Sequence, residues 1–315
     1  MGDYIMATLT ISTEDEKRVK GLGFLSNKGT DNFSARIITV NGKITSAQNK
    51  CISEAAEIFG NGIVTFTTRL TVEVQGIPYN KIDDFRAYLA REGLITGGTG
   101  AKIRPIVSCK GTTCQYGLID TFSLSEEIHE RFFKGYSNVK LPHKFKIAVG
   151  GCPNNCVKPE LNDLGIIGQR IPNFNADECK GCKKCSVESA CPVNASKVVD
   201  GVLKIDEDKC NNCGRCIGKC HFKAIEDGIT GYKIYIGGRW GKRISHGIAL
   251  NKIFLDKNEA MDVIEKTILL YKYQGKAGER LAETIERLGF LDIQNQLLSN
   301  DLLDRKEEIL ALSSL

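Results

Sequence analysis

The chain has 315 residues, of which 42% are hydrophobic and 26% charged, with a formal net charge of +5. That length buries a sizeable core and holds two or three domains, and no apolar run approaches the roughly 18 residues of a membrane span. The basic residues are dispersed rather than massed in a Lys/Arg block, which excludes a nucleic-acid arm despite the positive balance.

Residues 1–32 read as a polar lead-in with a short helix or strand and little chemistry. Met1–Met6 lacks the basic and apolar regions of a signal peptide, and Met6 breaks the myristoylation pattern, so the expected location is the cytoplasm. Phe33–Val40 is β-branched and bounded by Asn41-Gly42, as a strand is. Thr45–Phe59 is helical, with Thr45 as N-cap and Gly60 as the stop. Cys51 stands alone on this helix and reads as a small buried core residue. Gly62–Thr68 and Thr71–Gln75 are strand candidates. Asn80–Glu92 is an amphipathic helix with Ile82, Phe85 and Leu89 on one face and Gly93 as C-cap. The order β-α-β-β-α fits a split βαβ, ferredoxin-like unit. Leu94–Gly100 is Gly/Thr-rich and reads as a linker whose glycines allow close backbone approach, or as a plain domain linker.

The other twelve of the thirteen cysteines lie between Cys109 and Cys220 in short-spaced groups. An odd total argues against a disulfide framework, and twelve is the ligand count of three [4Fe-4S] cubanes. The first pair is Cys109-x4-Cys114, followed by a helix to Lys134 with Ile128, Phe132 and Phe133 inward and Gly135 at its end. Next comes a strand, Lys144–Val149, whose alternation sets Lys144 and Lys146 on one side. A Gly150-Gly151 bend then leads into the turn Cys152-x3-Cys156. Two Cys pairs with cations beside one of them suggest a metal cluster facing an anion. Leu164–Gly168 is a further short strand.

Residues 170–229 carry Cys179-x2-Cys182-x2-Cys185-x5-Cys191-Pro192, then Cys210-x2-Cys213-x2-Cys216-x3-Cys220. This is the two-cluster bacterial ferredoxin pattern, in which the fourth Cys of each run serves the other cluster. Cys179, Cys182, Cys185 and Cys220 are therefore assigned to one cubane, and Cys210, Cys213, Cys216 and Cys191 to the other. Zinc is the alternative for paired Cys-x2-Cys; eight cysteines in two triplet-plus-one runs favour cubanes. The first run has two extra residues before Cys191, and His221 rather than Pro follows Cys220, without loss of a ligand. Beyond lies a strand, Tyr232–Ile236. The loop Gly237–Arg243, with Arg239, Lys242 and Arg243, suits carboxylates or phosphates, or is a solvated turn. Helices follow at Glu259–Tyr273, Gly278–Leu288 and Asp301–Leu312, with apolar stripes for packing or for contact between subunits. No Gly-x-Gly-x-x-Gly opens a helix after a strand.

The stretch Lys144–Cys156, with Cys109 and Cys114 upstream, resembles the siroheme and [4Fe-4S] motif of the sulfite and nitrite reductases. One departure is the Cys-x4-Cys pair, where many members have five intervening residues. The resemblance runs from about Phe33 to Phe290 and is nearest to the catalytic C subunit of the anaerobic, NADH-linked sulfite reductases. It implies that Cys109, Cys114, Cys152 and Cys156 bind one cubane and that Cys156 also bridges to the siroheme iron. It places Lys144, Lys146, Arg36 and Arg69 around the substrate, and residues 96–100, Arg104, Arg239, Lys242 and Arg243 at the siroheme rim. The implied fold class is α+β: a ferredoxin-like half-domain (1–100), an α/β siroheme–[4Fe-4S] domain (101–169 and 230–315) and an inserted two-cluster ferredoxin module (170–229).

The implied function is six-electron reduction of sulfite to sulfide, with electrons passing through the two ferredoxin-type clusters. Plant-type nitrite reductases carry Asn where Lys146 stands, and a dianion needs more positive charge than nitrite, so Lys146 favours sulfite. The alternatives are a siroheme nitrite reductase and a non-catalytic iron–sulfur electron carrier. NADH and flavin sites are expected on separate donor subunits, and the second half-domain of single-chain relatives on another copy or a different subunit.

Overall fold

A split βαβ unit does occupy residues 33–92, preceded in the lead-in by both a short helix and a short strand. The computed structural model describes residues 11–312; the first ten positions of the lead-in and the last three of the chain lie outside the described residues. Two units divide the chain. One is built from the described residues up to Val107 with Glu126–Lys146, the other from Ser108–Ser125 and the described residues from Ile147 on.

In the first unit, α1 (Thr13–Gly21) and β1 (Phe24–Ser26) precede β2 (Asn32–Ile37), α2 (Ser46–Phe59), β3 (Val64–Phe66), β4 (Val72–Pro78) and α3 (Ile82–Ala90). β4 lies between β2 and β3 and runs antiparallel to both, giving the order β1-β2-β4-β3. That is why β2, α2 and β3 form a split crossover. Ile82, Phe85 and Leu89 are buried as their spacing requires, and Cys51 is 6% exposed. β2 stops at Ile37, short of Val40, because the chain turns at Asn41 and Gly42, both at positive φ (50° and 81°). Thr45 caps α2 through a reciprocal box: its hydroxyl accepts from the Gln48 N–H (3.1 Å), and Gln48 Oε1 accepts from the Thr45 N–H (3.0 Å). Thr45→Ala should lower stability by about 1 kcal/mol, read as a lower urea midpoint at unchanged slope.

The glycine-rich stretch after α3 is not a free linker. Ile38 N–H donates to Ile95 O, and Gly97 N–H donates to Arg36 O. A side chain at Gly98 would lie 2.7 Å from Pro105 Cγ. The stretch is laid along the end of β2, where its glycines permit close backbone approach.

The remaining elements are β5 (Val107–Ser108), α4 (Thr121–Ile128), β6 (Ile147–Gly150), β7 (Leu164–Pro172), α5 (Ser186–Ala190), β8 (Ser196–Val199), β9 (Val202–Ile205), β10 (Gly228–Ile236) and β11 (Ile248–Phe254). Five helices end the described chain: α6 (Lys257–Gln274), α7 (Leu281–Leu288), α8 (Phe290–Leu298), α9 (Asp301–Asp304) and α10 (Lys306–Ala311). The larger sheet has the order β11-β10-β7-β6-β5. β6 and β7 are parallel, β7 and β10 antiparallel, β10 and β11 antiparallel. β6 is buried throughout, as a central strand covered on both faces must be.

α4 starts at Thr121 rather than just past Cys114, because the chain first turns with Gly117 N–H on Cys114 O (2.9 Å) and is then held by Leu118 N–H on Gly151 O (2.9 Å); the helix later widens into a π-helical turn, His129–Lys134. The strand expected at Lys144 begins at Ile147; before it only Phe145 pairs, with Ile103. The helix expected over Asp301–Leu312 is broken at Arg305, whose backbone (φ −97°, ψ 13°) leaves the helical region. No helix among the described residues is long and apolar enough to cross a membrane.

Candidate functional site

Cys109 follows directly on β5, and Cys152 lies two residues past the end of β6, its neighbour in the sheet. The two loops are pinned together by backbone. Cys109 N–H donates to Val149 O (3.1 Å), Gly151 N–H to Cys109 Sγ (3.1 Å) and Leu118 N–H to Gly151 O (2.9 Å). The Thr121 hydroxyl donates to Cys109 O (2.8 Å). Glycine is required at the crossing: a Cβ on Gly151 would stand 2.9 Å from the Cα of Gly111 and 3.1 Å from Thr121 Cγ2. The Cys152–Cys156 turn is closed by Asn155 N–H to Cys152 O (3.2 Å), with Asn155 at φ 58°.

All thirteen cysteines are free thiols. Burial, and then the proximity of Cys109, Cys156 and Cys114, push the Cys152 thiol above its ordinary range. Thiolates gathered this closely repel one another, and a positively charged centre between them offsets that repulsion. Among the described residues no three His, Cys, Asp or Glu side chains are gathered to hold a single metal ion; the ligands of a cubane surround a cluster rather than one ion. Cys109, Cys114 and Cys152 are half-buried, whereas Cys156 is exposed. The donor set, its N–H···S support and the cradle that a Cβ would fill fit a thiolate-held iron–sulfur cluster.

The second cysteine-rich segment builds two further groups in the same unit. Cys191, Cys210, Cys213 and Cys216 line one small hollow with Pro192, although Cys191 belongs to the other run. Burial, then Cys210, Cys213 and Cys191, push the Cys216 thiol up to about 11. Burial also acts on Cys191, but the N–H groups of Val193, Ser196 and Ala195 outweigh it and lower that thiol. Cys179, Cys185 and Cys220, with Cys216 of the other set, pack against a small core of Val187, Leu203 and Ile225, and Leu203 N–H donates to Cys179 Sγ (3.3 Å). The hairpin β8–β9 supplies that N–H. Its turn, Asp200-Gly201, carries positive φ at both residues (53° and 76°). That dipeptide between β-branched runs is a strong hairpin signal which the cysteine spacing had overshadowed.

In the first unit the segments that carry the expected cations border the glycine seam. Arg36 lies on β2, and its backbone oxygen accepts from Gly97. Arg69 donates from Nε (3.1 Å) and Nη2 (2.7 Å) to Pro105 O. Arg104 donates from Nη1 to Gly98 O (2.6 Å), and its N–H donates to Phe145 O (2.8 Å), between Lys144 and Lys146. Phe145 is fully buried and both flanking lysines are half-buried, so the lysines share the side away from the core. Arg36 Nη2 pairs with Glu73 (3.1 Å), its cross-strand partner on β4, while Arg36 Nε and Thr96 Oγ1 are buried without hydrogen-bond partners. Buried polar atoms of this kind are suited to a polar ligand.

The loop 237–243 is held differently. Arg239 pairs with Glu283 of α7 at 2.7 Å and Arg243 with the same carboxylate at 3.5 Å. The Arg280 N–H, then the Arg239 guanidinium, keep the Glu283 carboxyl below its usual range. Behind this loop is a pair the sequence did not announce: Asp163, fully buried, accepts from Arg280 Nη2 at 2.8 and 2.7 Å. Nothing in the pattern Asn162-Asp163-Leu164 marks a buried carboxylate, since its partner lies far along the chain.

Comparison with known proteins agrees with this arrangement. Residues 99–304 match the family described as the nitrite and sulphite reductase 4Fe-4S domain, and residues 26–92 match the nitrite/sulfite reductase ferredoxin-like half domain. The chain is 33% identical over 259 residues to a coenzyme F420-dependent sulfite reductase of Methanocaldococcus jannaschii, covering 80% of this chain and 40% of that protein. It is 33% identical over 147 residues to the C subunit of the anaerobic sulfite reductase of Salmonella typhimurium, covering 42% of each. It thus spans less than half of either of these relatives. A crystal structure of dissimilatory sulfite reductase I shares the fold, with a TM-score of 0.67 at 21% identity over 84% of this chain and 69% of that one. The 4Fe-4S model takes in well over half of the sequence, and the glycine-tightened cysteine loops fall inside it: the chain belongs to the nitrite and sulfite reductase family.

Proposed function

We propose that this chain is the catalytic component of a siroheme-dependent sulfite reductase, carrying out the six-electron reduction of sulfite to sulfide. The observation that carries the reading is the convergence of Arg36, Arg69 and the Lys144–Lys146 segment on the seam Gly97–Pro105, in a chain that also holds the four-thiol group. Cys109, Cys114, Cys152 and Cys156 hold one [4Fe-4S] cluster. Cys156, the exposed thiol of the four, is the one able to reach a haem iron as well. Cys179, Cys182, Cys185 and Cys220 hold a second cluster, and Cys191 with Cys210, Cys213 and Cys216 a third; the shared hollow of that last set supports the exchange of the fourth ligand. The proposed division is a half-domain (1–100), a siroheme domain (101–169 and 230–315) and an inserted ferredoxin module (170–229). Arg104, Arg239, Lys242 and Arg243 are the proposed siroheme-rim residues.

When bound, the siroheme and clusters supply an iron that takes the sulfur lone pair and the electrons that reduce it. The chain's own residues answer the charge. Arg36 and Arg69 offer planar forks to the sulfite oxygens, and Arg36 retains a buried Nε–H with no acceptor. Lys144 and Lys146 add two positive charges against the dianion and donate protons as each S–O bond breaks, so that oxygen leaves as water. Electrons come from a separate iron–sulfur and NADH/flavin-binding partner in the cytoplasm.

The family name covers nitrite too, and Lys146 is the proposed discriminator. The test is anaerobic turnover of the reconstituted chain with a reduced viologen dye, quantifying sulfide and ammonium. Higher kcat/KM for sulfite is expected. Lys146→Asn should lower sulfite turnover on the order of tenfold more than nitrite turnover, the worth of one hydrogen bond from a charged donor. Equal losses would remove the preference for sulfite, and bound siroheme without turnover on either anion would reduce the chain to an electron carrier.

A further inference from the structure

One hollow in the second unit has no place in the proposed reaction. It has a volume of about 230 Å³, below the roughly 300–1,000 Å³ of a cofactor pocket, and its lining includes Asn155, Glu160, Gln169, Asn211, Lys233 and Tyr235. Four of these residues present oxygen atoms that are buried and have no hydrogen-bond partner: Asn155 Oδ1, Glu160 Oε2, Gln169 Oε1 and Asn211 Oδ1. Gln169 is 2% exposed. Two of the amide orientations follow from their donors. Gln169 Nε2 donates to Ile167 O (3.4 Å) and Gly168 O (3.2 Å), and Asn155 Nδ2 donates to Glu160 Oε1, so in both the oxygen is the atom left over.

Four acceptors with no donor among them call for a guest that is positive or carries several N–H or O–H groups. The Lys233 ammonium is not that guest: it stands 5.9 Å from the centre of the Tyr235 ring, and the four oxygens remain unpartnered. The formal charge of the acceptor set comes from one carboxylate, and Lys233 opposes it. Ca²⁺ takes six to eight oxygens with several carboxylates, and Mg²⁺ demands a near-ideal octahedron. Neutral amide oxygens around a single carboxylate instead resemble the carbonyl settings that replace the hydration shell of K⁺.

We infer that this hollow is a binding site for one partly hydrated monovalent cation of the K⁺ class. Asn155 directly precedes Cys156 and Asn211 directly follows Cys210, so the ion links two cysteine-bearing loops within one unit. Its positive charge lies beside thiolates that repel one another, and this favours occupancy in the cluster-loaded protein. The site is independent of which oxyanion the chain reduces.

The test uses the full chain with its clusters, exchanged anaerobically into tetramethylammonium chloride at fixed ionic strength. Equilibrium dialysis against radioactive Rb⁺ should show about one ion retained per chain, displaced by K⁺ but not by tetramethylammonium. K⁺ should also raise the Tm by about 2–4 °C, the shift that corresponds to modest saturation of one site. Glu160→Gln and Gln169→Leu should each weaken Rb⁺ binding about tenfold or more at unchanged iron content. No Rb⁺ retained by the wild-type chain would overturn the site and leave the hollow to water. Rb⁺ held equally by both variants would overturn its placement here. The wild-type measurement decides the first question even where a variant fails to fold.

Discussion

Gly151→Ala should cost the purified chain about four irons, the content of one cubane, and lower sulfide formation on the order of a hundredfold or more. The Cβ it adds would stand 2.9 Å from the Cα of Gly111 and 3.1 Å from Thr121 Cγ2. Neither neighbour can yield by rotating a flexible tip. Gly111 presents backbone, and Thr121 is fixed by its bond to Cys109 O. The two cysteine loops must therefore separate, and the Gly151 N–H would move away from Cys109 Sγ. An ångström of loop displacement is enough to spoil a constellation set by geometry. Cys152→Ser supplies the reference loss of one cluster, and Gly21→Ala the control, since a Cβ there meets nothing within 4 Å. Iron counted colorimetrically and the cluster's electron paramagnetic resonance signal read the outcome. A Gly151→Ala protein with full iron content would show that the loops tolerate separation and that the close crossing is incidental.

The half-domain was legible because its signals are local. Thr45 with Gln48 is a capping box, Ile82, Phe85 and Leu89 fall on one helical face, and Asn41-Gly42 marks a turn; each is settled within a few residues. The proposed cysteine groups were read on a different basis, since cysteine spacing is visible whatever the intervening backbone does. What sequence reading missed depends on remote partners. Leu94–Gly100 showed glycines suited to close backbone approach, but what they approach, the carbonyl of Arg36 and the ring of Pro105, lies outside the stretch. β11 was passed over because Ile248–Phe254 becomes a strand by pairing with β10, not through alternation of its own. α8 was not expected; it begins right after Gly289 (φ 90°), which serves as the boundary of two helices at once. The roles of Arg36 and Arg69 came from resemblance, because no local pattern distinguishes a strand arginine that faces a ligand from one that faces water.

Asp163→Ala should destabilise the protein by about 3–5 kcal/mol, because it strands a guanidinium in the interior. Asp163 is fully buried and the Arg280 side chain is 7% exposed. The loss should appear as a fall in Tm on the order of 10 °C. The pair ties the start of β7 to the residue before α7, and Asp163 O also accepts the Gly237 N–H. Arg280 in turn gives its backbone N–H to Glu283, the carboxylate that pairs with Arg239. The disturbance should therefore travel to the loop 237–243, and if that loop holds siroheme carboxylates, siroheme content should fall with stability. The double variant Asp163→Leu with Arg280→Met separates the two effects. Replacing both charges by apolar groups of similar size removes the stranded charge, and stability should return to within about 1–2 kcal/mol of wild type. Siroheme retention should recover with it if the pair only braces the fold. Were stability restored but siroheme still lost, Arg280 would have a direct part in ordering Glu283 and the cationic loop, and the ion pair would belong to the cofactor site rather than to the core.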